Sequence, residues 1–393
     1  MKKIFIIIVM FFLIGLITNK TFAKSNNNNK MQDYKEAEEI INVQKDNLKI
    51  SDFIKESEKY TKDNMPGLNL NEIFSSAITG DIDNIKMMHI LFNLVSKELS
   101  NCLSAIVGII VVIVIHGILK SIGDSLGNKG VVQIAYYIQY ILIVTIIMSN
   151  FAEIIIMVKT SIQNLVTFIN LLIPILITLL ITTGSITTAS IIQPIIIFIT
   201  TLIGNFIVKV IIPITLVSTA LGIISQISDK IQIDKLSKFL KSGAVWSLGV
   251  ILTLFVGITS LESTLTSQVD GVSAKTTKAA VSNFIPVVGK ILGDAVETVM
   301  GCSIILKNAL GILGIIIIVS ICIAPIIKLI ILMSMYYLCA ALCQPIADSK
   351  IIKLLSHIGD TYKLLLAILS SVSVMLIIGV TIIIKISNTG NIT

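Results

Sequence analysis

Arginine is absent from this sequence, and charged residues of any kind are scarce. All 30 basic residues are lysines, and charged residues make up 13% of the 393 residues. Soluble globular domains carry about 25% charged residues, so the composition excludes an ordinary soluble protein of this length. The lack of arginine also argues against bidentate recognition of phosphate, for which arginine is preferred. Nothing in the sequence points to a nucleic-acid partner.

Histidine and cysteine are too few and too dispersed to suggest a metal centre or a disulfide-linked domain. The three histidines lie in different segments, and the five cysteines lie in or beside apolar runs. Cys339 and Cys343 share a helix face, where such thiols act as small packing residues. We therefore predict no metal and no disulfide-stapled ectodomain.

Catalytic motifs are also missing. The nearest approach to a phosphate-binding loop, GDSLGNKG at Gly123–Gly130, has the wrong spacing, and neither H-E-x-x-H nor G-x-S-x-G occurs. A membrane enzyme would need acids or histidines that converge inside the bilayer, and the apolar runs contain almost none. We therefore expect no enzymatic activity and no cofactor.

Apolar residues, by contrast, dominate the chain. Hydrophobic residues make up 54% of it, and the mean hydropathy is +0.94. A membrane-spanning helix needs about 20 consecutive apolar residues. The predicted fold class is therefore an all-α polytopic integral membrane protein with about seven to eight transmembrane helices. The predicted spans are Leu99–Leu119, Val131–Ile154, Ile162–Thr183, Ile191–Ile227, Gly243–Leu261, Cys302–Pro325, Ile326–Ala347 and Leu364–Ile384.

The chain divides into three regions. Residues 1–23 have a basic start, a short apolar core and the small residue Ala23 at the end, which is typical of a cleavable signal peptide. An uncleaved anchor is the alternative. Residues 24–97 form a polar, extracytoplasmic segment, and residues 98–386 form the multi-span membrane domain.

The extracytoplasmic segment is predicted to contain short amphipathic helices. Apolar residues recur between dense charges over residues 33–62, Met65-Pro66-Gly67 breaks the pattern, and residues 71–80 and 81–97 continue it. Because the segment has few aromatic residues to form a core, it is expected either to form a small helical module or to gain order by docking onto a partner protein or the bilayer surface.

Lysine-rich segments orient the spans, because they favour the cytoplasmic side. The segment Asp229–Lys241 carries four lysines and is predicted to be cytoplasmic, as is the loop at 120–129. Both placements hold if Ile191–Ile227 is a tight hairpin of two short spans; one bent span with a re-entrant piece is the alternative. The hairpin places residues 262–301 outside, but it also places the basic segment Lys350–Lys363 outside, against the rule.

A few polar groups and prolines interrupt the apolar runs. The ionisable groups lie near predicted span ends, where lysines can extend to the membrane interface, and the prolines are expected to kink the helices. The ionisable groups are Glu153, Lys209, Lys307 and Lys328, and the prolines are Pro174, Pro194, Pro213 and Pro325.

Residues 262–301 differ from the spans on either side and are the predicted functional segment. Its first half is rich in hydroxyl groups, and its second half is amphipathic. Gly289 and Gly293 form a G-x-x-x-G step that permits close helix approach in membranes, and Asp294 and Glu297 share a helix face. The segment is either an interfacial amphipathic helix or a re-entrant, pore-lining element. The candidate packing or pore-lining residues are Pro286, Gly289, Gly293, Asp294, Glu297 and Gly301.

One run in this region resembles a known family. The sequence NFIPVVGKILGDAVETVMGCSIILKNALG, which continues to CIAPIIKL, is similar to the signature region of stage III sporulation protein AE. The order of signal peptide, polar segment and multi-span remainder is also similar, so the resemblance covers essentially the whole chain. It implies no catalytic residues.

The resemblance implies a role in endospore formation. A member of this family is expected in the mother cell, in the outer membrane around the forespore. There it would belong to a secretion-like channel complex needed for late forespore development, together with other stage III proteins, including forespore-side partners. Self-association is left open. The alternatives are a stand-alone secondary transporter for a small solute and a purely structural membrane scaffold.

Overall fold

The protein is built from helices throughout the part of the chain that the structure describes. This structure is a computed structural model, and it describes residues 40–62, 64–79, 84–125, 129–227, 233–284 and 288–386. The predicted signal peptide therefore lies outside the described residues. The helices are α1 (Ile50–Thr61), α2 (Leu70–Thr79), α3 (Asn84–Ser125), α4 (Lys129–Thr182), α5 (Ile186–Phe206), a π-helical segment (Ile207–Ile211), α6 (Ile212–Ser225), α7 (Asp234–Phe284), α8 (Val288–Cys343) and α9 (Ser349–Ile386).

Five of these elements are long and apolar enough to cross a membrane, by length and composition. They are α4, the α5–α6 unit, α7, α8 and α9. In addition, α3 contains the shorter apolar stretch Ile106–Ile115, inside the predicted span Leu99–Leu119. The all-α, membrane-protein class is thus supported.

Two pairs of predicted spans each form one continuous helix. The spans Val131–Ile154 and Ile162–Thr183 are joined in α4, which has 54 residues. The spans Cys302–Pro325 and Ile326–Ala347 are joined in α8, which has 56 residues and contains Pro325. The sequence between the paired spans of α4 contains neither glycine nor proline, and membrane helices tolerate a proline that neighbouring helices support. The division of each pair was therefore wrong.

The predicted hairpin within Ile191–Ile227 is also wrong. The backbone stays right-handed helical through Phe206, Ile207 and Ile212, at the junctions of α5, the π segment and α6. The π turn widens the helix just before Pro213, whose ring would otherwise clash with the preceding turn. The run is therefore one helical unit rather than two antiparallel spans.

The core lies where α8 packs between α4 and α9. Leu172 of α4 lies directly over Gly314 of α8, and Ile384 of α9 lies over Gly311. Ser373 of α9 donates a hydrogen bond to the Cys322 thiol at 2.8 Å. Both α4 and α9 run antiparallel to α8, and together they cover its apolar sequence on two sides.

The amphipathic segment before the membrane domain folds as predicted, but it docks within the chain. Phe53 and Tyr60 of α1 pack on Phe168 of α4, with ring centroids 6.0 and 6.2 Å away. Burial here raises the pKa of Tyr60, and the Glu56 carboxylate raises it further. The predicted break is a turn in which Gly67 has a φ of 94°. Residues 81–97 were predicted as a separate helix, yet from Asn84 onward they belong to α3.

Several helix ends meet at one end of the bundle. Ile346, just after α8, covers Gly117 in the last part of α3. Tyr136, near the start of α4, donates a hydrogen bond to the carbonyl of Gln226, just after α6, at 3.2 Å. The ends of α3, α6 and α8 and the start of α4 are therefore neighbours, and the basic segments of the sequence flank these ends.

Candidate functional site: a buried polar cluster between α6, α7 and α9

Five of the six residues predicted to pack or line a pore lie near the start of α8. Pro286 lies outside the described residues. Gly289, Gly293, Asp294 and Glu297 are in the first turns of α8, and the structure describes their backbone only. A Cβ added to Gly301 would meet no atom within 4 Å. Whether this segment packs against another chain or lines a pore stays a prediction.

The structure instead brings together hydroxyl groups that the sequence analysis did not single out. On α6, Thr215, Ser218 and Thr219 are all buried. The Ser218 hydroxyl donates to the carbonyl of Ser237 on α7 at 2.7 Å, and the Ser237 hydroxyl donates to the carbonyl of Ser218 at 2.7 Å. This reciprocal pair holds α6 and α7 at close range, which the small serine side chains permit.

The same face of α6 contacts α9. The hydroxyl oxygens of Thr219 and Thr361 are 3.1 Å apart, and both residues are buried. Lys241 of α7 donates from Nζ to the Thr361 hydroxyl at 3.5 Å. Three helices thus meet through hydroxyl groups and one lysine.

His357 completes this polar cluster, which we define as Ser218, Thr219, Ser237, Lys241, His357 and Thr361. Its imidazole lies against Gly222 of α6, where any Cβ would collide with three ring atoms. Its Nε2 atom is buried and has no hydrogen-bond partner among the described residues. Gly222 is therefore the position that lets the histidine side chain fit between α6 and α9.

Aromatic side chains bound the polar cluster. The rings of Tyr336 of α8 and Tyr362 of α9 pack at a tilt of 40° with their centroids 5.4 Å apart, and Phe151 of α4 packs edge-on against Tyr362 at 6.1 Å. Tyr140 of α4 donates to the Ile223 carbonyl of α6 at 2.5 Å. These contacts join α4, α6, α8 and α9 beside the cluster. The polar groups of the cluster itself form hydrogen bonds between helices.

Lys307 lies far from this cluster. Its predicted extension to the membrane interface is wrong. Its side chain is fully buried. Nζ donates to the carbonyls of Ile384 at 2.9 Å and Ile383 at 3.5 Å. Both carbonyls belong to the last turn of α9, where helical carbonyls lack backbone partners and a positive charge is favourable. Lys307 therefore caps the end of α9.

Glu153 of α4 and Lys328 of α8 form an ion pair between these two helices. Lys328 Nζ lies 2.8 Å from Glu153 Oε1, and their side chains are 23% and 70% exposed, respectively. Lys209, in the π segment, is exposed. These three residues lie inside continuous helices rather than at span ends, and the extension of the two lysines to a membrane interface stays a prediction.

The chemistry available to these groups is that of hydrogen bonding. Within the described ranges, no group of three or more His, Cys, Asp or Glu side chains is placed to hold a metal ion. Tyr337 donates to Asp360 at 2.7 Å, next to the polar cluster. A sequence signal did exist for the cluster: Thr215, Ser218 and Thr219 recur at helical spacing within an otherwise apolar run.

Comparison with known proteins identifies the chain's relatives. The family model described as stage III sporulation protein AE matches residues 68–387. The chain is 32% identical to the stage III sporulation protein AE of Bacillus subtilis (strain 168) over 271 residues. The aligned region covers 69% of this chain and 68% of that protein. No solved structure matches. The resemblance seen in the sequence is thereby confirmed, and the chain belongs to the stage III sporulation protein AE family.

Proposed function

We propose that this protein is a non-enzymatic membrane component of a channel or secretion-like complex between mother cell and forespore. It resides in the outer forespore membrane and works with other stage III proteins in late forespore development. Family membership supports the role in sporulation. The proposal of a channel component extends that role to an assembly.

One observation carries the proposal: long apolar helices present large apolar side chains outward, whereas the polar groups between them are used in helix contacts. Phe198, Phe239, Trp246 and Leu254 are 66%, 71%, 72% and 57% exposed. Apolar surface of this extent marks contact with lipid or with other proteins. A component embedded in lipid and in a larger assembly accounts for both features.

The basic segments support a simple orientation within the membrane. If α4, the α5–α6 unit, α7, α8 and α9 each cross once, and α4 starts inside, the loops after α3, α6 and α8 are cytoplasmic. Those loops adjoin residues 120–129, 229–241 and 350–363, which are the lysine-rich segments. The positive-inside rule then holds at all three, and the facing ends of α7 and α8 are extracytoplasmic.

A stand-alone secondary transporter is the second candidate, and the π segment is the observation in its favour. Transporters use interrupted helices to bind solutes, and π turns occur often at functional sites. Here, however, the helix continues on both sides of Ile207–Ile211 without unwinding.

Affinity purification from sporulating cells separates the two candidates. A tagged chain that restores heat-resistant spores to a deletion strain should co-purify with other stage III proteins, because a channel component acts only in its complex. Purification of a functional chain without any of them, together with solute uptake by liposomes that contain this chain alone, would favour the transporter and contradict the proposal.

A further inference from the structure

The helix α1 runs alongside the first half of the apolar run of α8. Gln44, just before α1, donates to the Ser303 hydroxyl at 2.9 Å. Asn64, just after α1, donates to the Ile321 carbonyl at 3.4 Å. The intervening stretch of α8 is about 27 Å long at 1.5 Å per residue, close to the roughly 30 Å of a hydrocarbon core. This stretch lies inside the apolar run Thr298–Cys343.

The outward face of α1 is charged along its whole length. Phe53, Ile54 and Ser57 are buried against the bundle. The opposite face carries charges of both signs, and all of them are exposed. They are Asp52, Lys55, Glu56, Glu58, Lys59 and Lys62.

A face of this kind does not contact lipid chains. Insertion measurements assign about 2.5–3.5 kcal/mol to one Asp or Lys at the centre of a membrane helix. The free-energy cost of several such charges within three turns exceeds the free energy that is gained by burying one apolar face of α1. The side of the bundle that carries α1 therefore faces water or protein.

Another side of the bundle has the opposite character at the same depth. Asn170 of α4, half a turn from the α1 contact at Phe168, donates to the hydroxyl of Thr201 on α5 at 3.4 Å. This contact places α5 level with α1. Phe198 and Leu202 of α5 are 66% and 52% exposed, and they flank Thr201 in the helix. Exposed apolar side chains at this depth suit contact with acyl chains.

We propose that the hydrocarbon core lies at this level of the bundle and that the bundle here separates lipid from water, with α5 facing acyl chains and the charged face of α1 lining an aqueous passage. The proposal rests on the proposed function, because one chain does not enclose a passage and other members of the assembly must close it. Water is favoured over a protein partner because charged residues are depleted from the centres of protein interfaces, whereas mixed charges are typical of solvated surfaces.

Spin labels in the membrane-embedded full chain test this assignment. Cysteines are introduced one at a time at Lys55, Lys59, Phe198 and Leu202, and at Ile305 of α8 as a depth reference. The five native cysteines are all buried, so they contribute little background labelling. Collision with oxygen, which concentrates in lipid, is compared with collision with a neutral, water-soluble nickel chelate.

The labels at Lys55 and Lys59 should collide more with the nickel chelate than with oxygen. Those at Phe198, Leu202 and Ile305 should show the reverse, which also establishes that this depth is hydrocarbon. Oxygen-dominated collision at Lys55 and Lys59 would overturn the proposal, because α1 would then face lipid. Shielding of these labels from both reagents would overturn it in favour of a protein partner. Nickel-dominated collision at all five sites would place this half of the bundle outside the bilayer and would overturn it too.

These outcomes are distinct from failure of the proposed function. The accessibility pattern is measured on membranes from sporulating cells, where the assembly is present. Co-purification and spore formation test membership of the assembly. A chain that co-purifies normally, yet fails the accessibility test, would keep the proposed function and lose the assignment of α1.

Discussion

Single residues decide how closely the helices of this protein approach and where charge is held inside it. Lys307 donates hydrogen bonds from within the core to two carbonyls at the end of α9, where helical carbonyls lack backbone partners. Gly222 removes a side chain where the imidazole of His357 must fit. One residue supplies a donor and the other supplies space, and each joins α9 to another helix.

Replacing Lys307 with methionine should destabilise the end of α9. Methionine keeps the shape of the side chain but removes the donor from two carbonyls, and a hydrogen bond from a charged group contributes about 1.5–3 kcal/mol. We expect a lower Tm in detergent. Lys209→Met serves as the matched control, because Lys209 is exposed and its Tm should stay near that of the wild type. Equal Tm values for both variants would contradict the assigned role of Lys307.

Replacing Gly222 with alanine should also destabilise the protein, because the new methyl group collides with His357. Overpacking of this kind typically costs about 1–3 kcal/mol. Gly249→Ala is the control, since a Cβ there meets no atom within 4 Å. The double variant Gly222→Ala/His357→Ala should recover part of the lost Tm. If Gly222→Ala alone matches the wild type, the close fit of the imidazole is not a constraint.

At the scale of helices, the facing ends of α7 and α8 hold the residues that the sequence singles out. If this segment both packs and lines a wet path, Gly293→Leu should abolish spore formation, because a bulky side chain enters a helix contact. Glu297→Gln keeps the shape and removes only the charge, so it should change what passes rather than whether the complex forms. Gly249→Ala, which lies outside this segment and in open space, is the control. Wild-type spore counts for Gly293→Leu, with normal protein level, would end the packing hypothesis.

The sequence predicted which segments are helical better than it predicted where helices end. The amphipathic pattern of α1 and the break at Gly67 were predicted correctly, because both depend on local residues. The division of α4 into two spans was wrong. The sequence between those spans has neither glycine nor proline, and such a run carries no local signal that stops a helix. The polar cluster was missed for a related reason: serine and threonine are common in such runs, and only tertiary contact brings Ser218 to Ser237 or Thr219 to Thr361.

At the scale of the whole molecule, helix length limits how the chain sits in a membrane. The apolar run Thr298–Cys343 has 46 residues, or about 69 Å at 1.5 Å per residue. A hydrocarbon core is only about 30 Å thick, so part of α8 lies beyond it or is shielded within the assembly. Because α4 and α8 are each one continuous helix, neither divides into the two antiparallel short spans expected from the sequence, and the proposed orientation has each of them cross once.

The proposed arrangement of the chain in the membrane depends most on its orientation, with the starts of α7 and α9 inside and the facing ends of α7 and α8 outside. Substituted-cysteine labelling with a membrane-impermeant maleimide tests it directly in cells that carry the chain in the plasma membrane. Cysteines at Lys238, Val281 and Lys353 sample the three positions, and the native cysteines are buried. We predict labelling of Val281→Cys in intact cells, and labelling of Lys238→Cys and Lys353→Cys only after permeabilisation. Labelling of Lys353→Cys together with Val281→Cys in intact cells would contradict the single crossing of α8, and with it the proposed arrangement of the chain.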